Sequence, residues 1–272
     1  MITINGNNYK LCLIDTNVVS EILKHPDVVY KRISEKLNPG IYIPCFSLYT
    51  ILELRQKKQI YEKFLKLFSL LPCMVLKSLD QLFQEELKSY PNPGSISPIL
   101  VTCPGAFVPE KPQLKDLMQS TFSHTEVNNL EKRLNLDKKE ILEGMLNLVR
   151  NYPPKGNKYT DEEIFNFVDK VSLQEIGLRD YDFCSNLLSK GTRIDINAFP
   201  SIKITSYIVF YKFYMDQRKP SESDTFDILI TSSLPYVDAI ITEKHLAEII
   251  RQFKSKEELI KDLEVYRLKD FQ

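Results

Sequence analysis

The sequence has little of what marks several common classes of function. Its 36 basic and 36 acidic residues cancel, so it lacks the overall positive charge of a strong non-specific nucleic-acid binder, although local patches can still bind. It contains no Gly-rich phosphate loop and no G-x-S-x-G turn. These absences argue against nucleotide binding of the P-loop or dinucleotide type and against serine-based hydrolysis.

Cysteine is also sparse, and its pattern excludes a disulfide framework. The five cysteines include no C-x-x-C pair, and Cys12 and Cys45 lie in or beside apolar runs, where small buried thiols are expected. The odd number and the absence of a signal-peptide pattern predict a reducing compartment. No apolar stretch reaches the roughly 18 residues that a membrane helix needs. We therefore expect a cytoplasmic protein without membrane association.

The composition is that of a globular protein, and the chain is long enough for one large domain or a domain with an insertion. Of the 272 residues, 43% are hydrophobic and 26% are charged, which is ordinary for a globular chain. A Pro- and Gly-rich stretch over 91–112 predicts an extended loop, and a helical pattern follows to Leu188. We predict a discontinuous α/β domain over 1–90 and 200–272, with a mostly helical insertion or subdomain over 91–199.

The first candidate site residue ends the first predicted strand. An apolar run from Leu11 to Ile14 predicts a buried strand, and the spacing of apolar residues from Val18 onward predicts a helix that Thr16 or Asn17 could cap. Asp15 therefore follows the carboxyl end of a strand. Ligands of open α/β sheets bind at this end.

The second candidate carboxylate lies on a long predicted helix. Ser47 is placed to cap a helix from Leu48 to about Leu70, and Glu53 lies about two turns into it among apolar residues. Glu53 could face the core, where it would need a partner, or solvent. The basic residues that follow could be a solvated helix face or a track for RNA phosphates; they include Arg55, Lys57 and Lys58.

The remaining acids lie in a helix–strand unit near the end of the chain. Asp224 and Asp227 are three residues apart, so they share one face of a predicted helix, and Asp224 also suits a position in the first turn. A strand is predicted from Val237 to Ile241, with Asp238 inside its apolar run and Thr242 at its end. A carboxylate within such a strand is costly unless a cation or a hydrogen-bond donor meets it.

A shared sheet would bring these acids together. Asp15, Glu53, Asp227 and Asp238 would then converge at its carboxyl edge, and their mutual repulsion would favour a bound divalent cation. Ligation by oxygen alone selects hard ions, Mg²⁺ or Mn²⁺. Such an ion lowers the pKa of a bound water and holds a phosphate, which is the chemistry of phosphodiester hydrolysis.

Separate pieces of the chain, in the right order, resemble the motifs of the PIN-domain family. They cover about half of the sequence, roughly residues 10–75 and 200–255. The matching pieces are Ile14-Asp15-Thr16-Asn17, SLYTILEL with Glu53, and DILITSSLPYVDAIIT with Asp227, Asp238 at the fourth acidic position and Thr242 after the last core strand.

The resemblance implies a three-layer α/β/α fold with a mostly parallel sheet and a metal-dependent endoribonuclease, of the kind found as toxins or defence nucleases. It implies RNA as substrate, Asp15, Glu53 and Asp227 as metal ligands, and Asp238 as a ligand or neighbour of the metal. Asn17, Asp224 and Thr242 would have supporting roles. Lys244, at the start of the next helix, could meet phosphate together with Arg55, Lys57 and Lys58.

The sequence departs from the family in two places, which keeps an alternative open. Many members have Thr-x-Asp where this chain has Thr242-Glu243-Lys244, and the helical middle is longer than a single-domain toxin needs. A catalytically degenerate module that binds RNA or a protein is the alternative. An antitoxin or other protein inhibitor and a homodimer also stay open as partners. Phosphatases of the haloacid-dehalogenase type are disfavoured, because they need an acid where this chain has Asn17.

Overall fold

A mostly parallel β-sheet forms the centre of the protein in the computed structural model, which describes residues 2–4, 7–25, 31, 35, 41–92, 96–105, 111–155 and 158–271. Six strands follow one another in the order β5-β4-β3-β2-β6-β7, and β1 pairs with the first residues of β2. The strands are β1 (Ile2–Ile4), β2 (Asn7–Ile14), β3 (Tyr42–Ser47), β4 (Cys73–Leu76), β5 (Ile99–Cys103), β6 (Ala239–Thr242) and β7 (Glu264–Arg267).

Helices connect these strands and pack around the sheet. They are α1 (Thr16–Lys24), α2 (Leu48–Arg55), α3 (Lys58–Phe68), α4 (Leu79–Ser89), α5 (Leu114–Ser123), α6 (Thr125–Asn151), α7 (Asp161–Arg179), α8 (Tyr181–Ser189), α9 (Pro200–Phe210), α10 (Glu222–Thr231) and α11 (Lys244–Lys254). In the central sheet β2 runs parallel to β3 and β6, β3 runs parallel to β4, and β6 runs parallel to β7. Strand β5 is antiparallel to β4. The predicted α/β class with a mostly parallel sheet is confirmed, and the arrangement is compatible with three layers.

The first strand begins earlier than its apolar run predicts. The polar residues before Leu11 belong to the strand, because Asn7–Tyr9 pairs antiparallel with Ile2–Ile4. Farther along, Lys10 to Leu13 pair with β3, and Cys12 to Ile14 pair with β6. The strand is thus held by a hairpin at its start and by the core of the sheet at its end.

The long helix predicted after Ser47 is divided in two. Ser47 caps α2 as predicted, with its hydroxyl accepting a hydrogen bond from the backbone N–H of Tyr49, but the chain leaves the helical conformation at Lys57. The turn allows α3 to fold back so that Phe64 and Phe68 meet the ring of Phe46 on β3, with ring centroids 5.0 and 4.7 Å away. Aromatic packing against the sheet thus decides where α2 ends.

The segment 91–199 contributes to the central sheet as well as to the helices. Within the Pro-rich stretch predicted to be loop, residues 99–103 form β5, and Pro98 and Pro104 flank that edge strand where a missing N–H costs no ladder hydrogen bond. Buried residues of α5 and α7, such as Met118 and Val168, belong to the same hydrophobic cluster as Leu13. Whether 91–199 behaves as a separate subdomain stays a prediction.

The aromatic segment after residue 200 is core, as predicted for residues at helical spacing. Tyr207 stacks on Phe253 of α11 with ring centroids 5.0 Å apart, and both side chains are buried. A π-helical turn, Tyr211–Met215, follows α9 and carries the fully buried Lys212. None of the helices in the described part of the chain has the length and apolar character needed to cross a membrane.

Candidate active site

Asp15 lies between two parallel strands where both reach the same edge of the sheet. Ile14 is paired with Ile241 of β6, and the backbone N–H of Asp15 donates to the Ile241 carbonyl at 3.1 Å. Asp15 itself caps α1, in place of the predicted Thr16 or Asn17: its Oδ1 accepts from the Thr16 N–H at 2.7 Å. The Thr242 hydroxyl donates to the other oxygen, Oδ2, also at 2.7 Å. The carboxyl group is thereby fixed at the carboxyl edge of the sheet.

The electrostatic state of Asp15 distinguishes it from an ordinary cap. Its side chain is 1% exposed, and burial raises the pKa of Asp15 from 3.8 to about 7. The hydrogen bonds from Thr242 and Thr16 act in the opposite direction, while the negative charges of Asp227 and Glu243 raise the pKa further. The buried carboxyl of Asp15 therefore feels the negative charges of two less buried acids, Asp227 and Glu243.

Glu243 is a member of this acidic group that the sequence motifs did not select. It directly follows Thr242, at the N-cap of α11, and is half-buried. The Asn17 side-chain amide donates to its Oε2 at 3.3 Å. The sequence indicates Glu243 only by its position next to Thr242, in the stretch where many PIN-domain proteins have Thr-x-Asp. The predicted supporting residues Asn17 and Thr242 both lie here.

Asp227 reaches the same region from α10 and is held by a buried lysine. Lys212 Nζ lies 2.6 Å from Asp227 Oδ2 and 2.9 Å from Asp224 Oδ1. The Lys212 side chain has no exposed surface, whereas that of Asp227 is 22% exposed. Asp227 thus faces an internal cation on one side and the charge of Asp15 on the other. Lys212 is a second residue that no motif indicated.

Asp224 lies one helical turn before Asp227 and forms the capping box of α10 with the N-cap residue Ser221. Its Oδ2 accepts from the backbone N–H and the hydroxyl of Ser221, at 2.9 and 2.6 Å. Burial alone would raise the pKa of Asp224, but the hydrogen bonds from Ser221 and Lys212 outweigh it and lower the pKa below 3.8. The predicted first-turn role is confirmed. Its carboxylate is occupied by donors from Ser221, Lys212 and Arg218.

Asp238 lies at the opposite edge of the sheet, so the expectation that it joins Asp15 is wrong. It precedes Ala239, the first residue of β6, and its Oδ2 accepts from the Leu11 N–H at 2.8 Å. Three strand residues lie between Asp238 and Thr242, and β6 runs parallel to β2, so Asp238 lies at the amino edge and Thr242 at the carboxyl edge that Asp15 shares. At the amino edge the carboxylate accepts a hydrogen bond from the backbone N–H of Leu11. It is not available to a site centred on Asp15.

Glu53 and Arg55 lie on α2, which packs against α1 and α10. Glu53 is half-buried, on a helix that contacts the one carrying Asp227. Arg55, predicted to bind substrate, is engaged within the protein: its Nε and Nη2 donate to Glu131 at 3.0 and 3.2 Å, and its guanidinium lies 3.9 Å from the centre of the Phe122 ring. It links α2 to the helices of 91–199, and its role in substrate binding stays a prediction.

The other predicted substrate-binding residues lie on the surface. Lys57, Lys58 and Lys244 are exposed, and Lys244 lies 3.9 Å from Glu248 one helical turn away. His245, next to Lys244, is held by Asp216 at 2.8 Å. These lysines lie at the start of α3 and of α11, and their role in substrate binding stays a prediction.

The residues at the carboxyl edge offer oxygen ligands but no complete metal cage. Within the described ranges, no group of three His, Cys, Asp or Glu residues is close enough to hold a metal ion. Asp15 and Asp227 supply carboxylates, and the buried hydroxyl of Thr16 has no hydrogen-bond partner. This donor chemistry fits Mg²⁺, which keeps several waters and takes only one or two carboxylates from a protein. It does not fit a thiolate or imidazole metal site.

Comparisons of the chain with protein-family models, with curated proteins and with solved structures give no match. The interpretation of this site therefore depends on its own geometry and on the motif resemblance.

Proposed function

We propose that this protein is a PIN-like, divalent-metal-dependent endoribonuclease that hydrolyses RNA phosphodiester bonds, as a toxin or defence nuclease would. One observation carries the proposal: the buried Asp15 carboxyl, at the carboxyl edge of a parallel sheet, has its pKa raised to about 7, and the charges of Asp227 and Glu243 add to the effect of burial. A divalent cation bound here would compensate the negative charges that burial and the neighbouring acids make costly at Asp15.

Asp15 and Asp227 would hold the ion, with Glu243 and Glu53 as the next acids around it. When bound, Mg²⁺ or Mn²⁺ supplies a water of lowered pKa and a positive charge for the scissile phosphate. The Thr242 hydroxyl and the Thr16 N–H fix the Asp15 oxygens in place. The Asp15 carboxylate would then bind the ion in the orientation in which these two hydrogen bonds hold it.

The neighbouring polar residues would orient the acids and the RNA. The Asn17 amide donates to Glu243, and Lys212 donates to Asp227. Exposed Lys57, Lys58 and Lys244 would attract the RNA backbone by charge. This contribution should weaken with salt, because phosphate contacts release counterions.

Asp15→Asn tests the activity with a matched control on the same strand pair. The wild-type protein should cleave single-stranded RNA in Mg²⁺ or Mn²⁺ and stop when a chelator is added. Asp15→Asn should lose this cleavage, while Asp238→Asn, at the opposite edge of the sheet, should retain it. Cleavage by Asp15→Asn at the wild-type rate, or an equal loss in both folded variants, would contradict the proposal.

A binding module without catalysis is the second candidate, and one observation favours it. The Lys212 ammonium, with no exposed surface, already pairs with both Asp224 and Asp227 from within the chain. In such a protein this lysine would take the place of the metal ion. The module would bind RNA or a protein but would not bind Mn²⁺ tightly.

Lys212→Met separates the two candidates by calorimetric titration with Mn²⁺. The nuclease predicts that the wild type binds Mn²⁺ and that the variant binds it more tightly, because a competing positive charge is gone. The module predicts no binding by the wild type and new binding by the variant. The variant should lose about 3 kcal/mol of stability, because the buried Asp224 keeps Arg218 but loses its buried cationic partner, so the titration is done where circular dichroism shows the variant folded.

A further inference from the structure

Two cysteines outside the acidic site face each other across neighbouring strands. Cys73 at the start of β4 and Cys103 at the end of β5 are directly opposite in the antiparallel register. Opposite residues of an antiparallel pair have Cα atoms about 4.5 to 5.5 Å apart, and this range lies within the separations that disulfides span. Their side chains also point to the same face of the sheet.

The environment of Cys103 favours its thiolate form. The single proton of the Cys73 thiol is donated to the Phe68 carbonyl, 3.6 Å from the sulfur, and turns to the Cys103 sulfur when that sulfur carries a negative charge, which the backbone N–H groups of Gly105 and Leu114 also stabilise. Leu114 is the first residue of α5, so the sulfur lies at the N-terminus of a helix, where negative charge is stabilised. The hydrogen bond from Cys73 is the largest cause, and the pKa of Cys103 is lowered to about 6 although burial opposes it.

The other cysteines lack these donors. Burial raises the pKa of Cys12, Cys45 and Cys184, which keeps their thiols protonated and slow to react. Exposure does not explain why the pKa of Cys103 is lowered and that of Cys184 is raised, since Cys184 is 8% exposed and Cys103 only 2%. The lowered pKa favours the thiolate form of Cys103 over that of the other cysteines.

We propose that Cys73 and Cys103 are a redox-active dithiol, which a small peroxide converts into a cross-strand disulfide between β4 and β5. The Cys103 thiolate attacks one oxygen of hydrogen peroxide, the O–O bond breaks, and a sulfenic acid forms as hydroxide leaves. The Cys73 thiol gives up its proton and attacks that sulfur, and the hydroxyl leaves as water. Two thiols lose two electrons, and one peroxide becomes two waters.

The disulfide would act on the junction between the sheet and the helices of 91–199. It would close the chain from residue 73 to residue 103 and fix edge strand β5 to β4. β5 is followed within the described residues by the start of α5, whose first N–H contacts Cys103. Oxidation would therefore fix the position at which α5 joins the sheet. The proposal depends on these contacts alone and is independent of the nuclease assignment.

The test is peroxide treatment of the folded protein, alkylation of the remaining thiols and mass spectrometry of the peptides. We expect a peptide pair joined through Cys73 and Cys103, with the other three cysteines alkylated. Reducing agent before alkylation should release the pair. A disulfide between other cysteines, or oxidation of Cys184 as fast as Cys103, would overturn the proposal.

Single variants keep the proposal falsifiable by showing which sulfur reacts first. In Cys73→Ser the unpaired Cys103 should form a sulfenic acid that dimedone traps at least tenfold faster than it labels Cys184, because the helix N–H donors stay in place. In Cys103→Ser, Cys73 should stay unlabelled. Cys184→Ser is the matched control and should still form the disulfide. Labelling of Cys73 in Cys103→Ser at the same rate would contradict the order of the steps.

Discussion

Replacing Asp15 with Asn should make the protein more stable at alkaline pH while removing its proposed activity. The pKa of Asp15 in the folded chain, about 7, lies roughly three pH units above the 3.8 of an unperturbed Asp. At about 1.4 kcal/mol per pH unit, ionised Asp15 costs the folded state about 4 kcal/mol above pH 7. Asn is neutral and of similar size, so it removes this cost.

The pH dependence gives the sign of the effect. Below pH 3.8 the carboxyl is protonated in both the folded and the unfolded chain, and ionisation contributes no difference between them. Between pH 3.8 and about 7 the unfolded chain ionises first, so wild-type stability falls as pH rises. The advantage of Asp15→Asn should therefore grow by about 1.4 kcal/mol per pH unit through this window and level off above it.

Urea unfolding of both proteins in the presence of a chelator, from pH 4 to pH 8.5, measures this advantage. The Thr242 hydroxyl can rotate to accept a hydrogen bond from the new amide, so the geometry of the cap is kept. Mg²⁺ or Mn²⁺ should stabilise the wild type at pH 8 and leave the variant unchanged. An advantage that does not change with pH, or a variant less stable at pH 8, would refute the electrostatic account of this site.

Two further substitutions test buried contacts elsewhere in the fold. Gly105→Ala should cost about 2 to 4 kcal/mol in urea unfolding, because Gly105 has a φ of 73° and a new Cβ would lie 2.6 Å from the carbonyl carbon of Leu71; an unchanged midpoint would contradict this. Glu86→Leu should cost about 3 kcal/mol in thermal unfolding, because it leaves buried donors of Ser201 and Tyr236 without their acceptor. Glu86→Gln, which keeps one acceptor oxygen, should cost less than Glu86→Leu, and an equal cost of the two variants would contradict this account.

The order of the strands and helices around the site was largely readable from the sequence. The apolar run before Asp15 and the helical spacing after it are local patterns, and the structure has β2 and α1 at these positions. The same is true of Asp224, because Ser221 and an acid three residues later form a capping box within one turn of chain. Such features depend on neighbours in sequence, and this is why periodicity and capping rules find them.

The set of acids that meet, by contrast, was decided by the tertiary structure. Asp238 and Thr242 are only four residues apart, but the strand between them carries them to opposite edges of the sheet, and only the register of β6 against β2 shows which edge Asp15 shares. The partner of Asp227 is similar: Lys212 comes from a π-helical turn fifteen residues earlier, and its charge is buried by packing that no local pattern describes.

The sequence by itself therefore determined local elements such as β2 and α1 and the acid at the end of the first parallel strand. Tertiary structure determined the register, the internal cation and the place of β5 beside β4. The physical reason is range: helix caps and apolar periodicity are interactions over a few residues, whereas strand pairing and buried charge pairs join residues far apart in the chain.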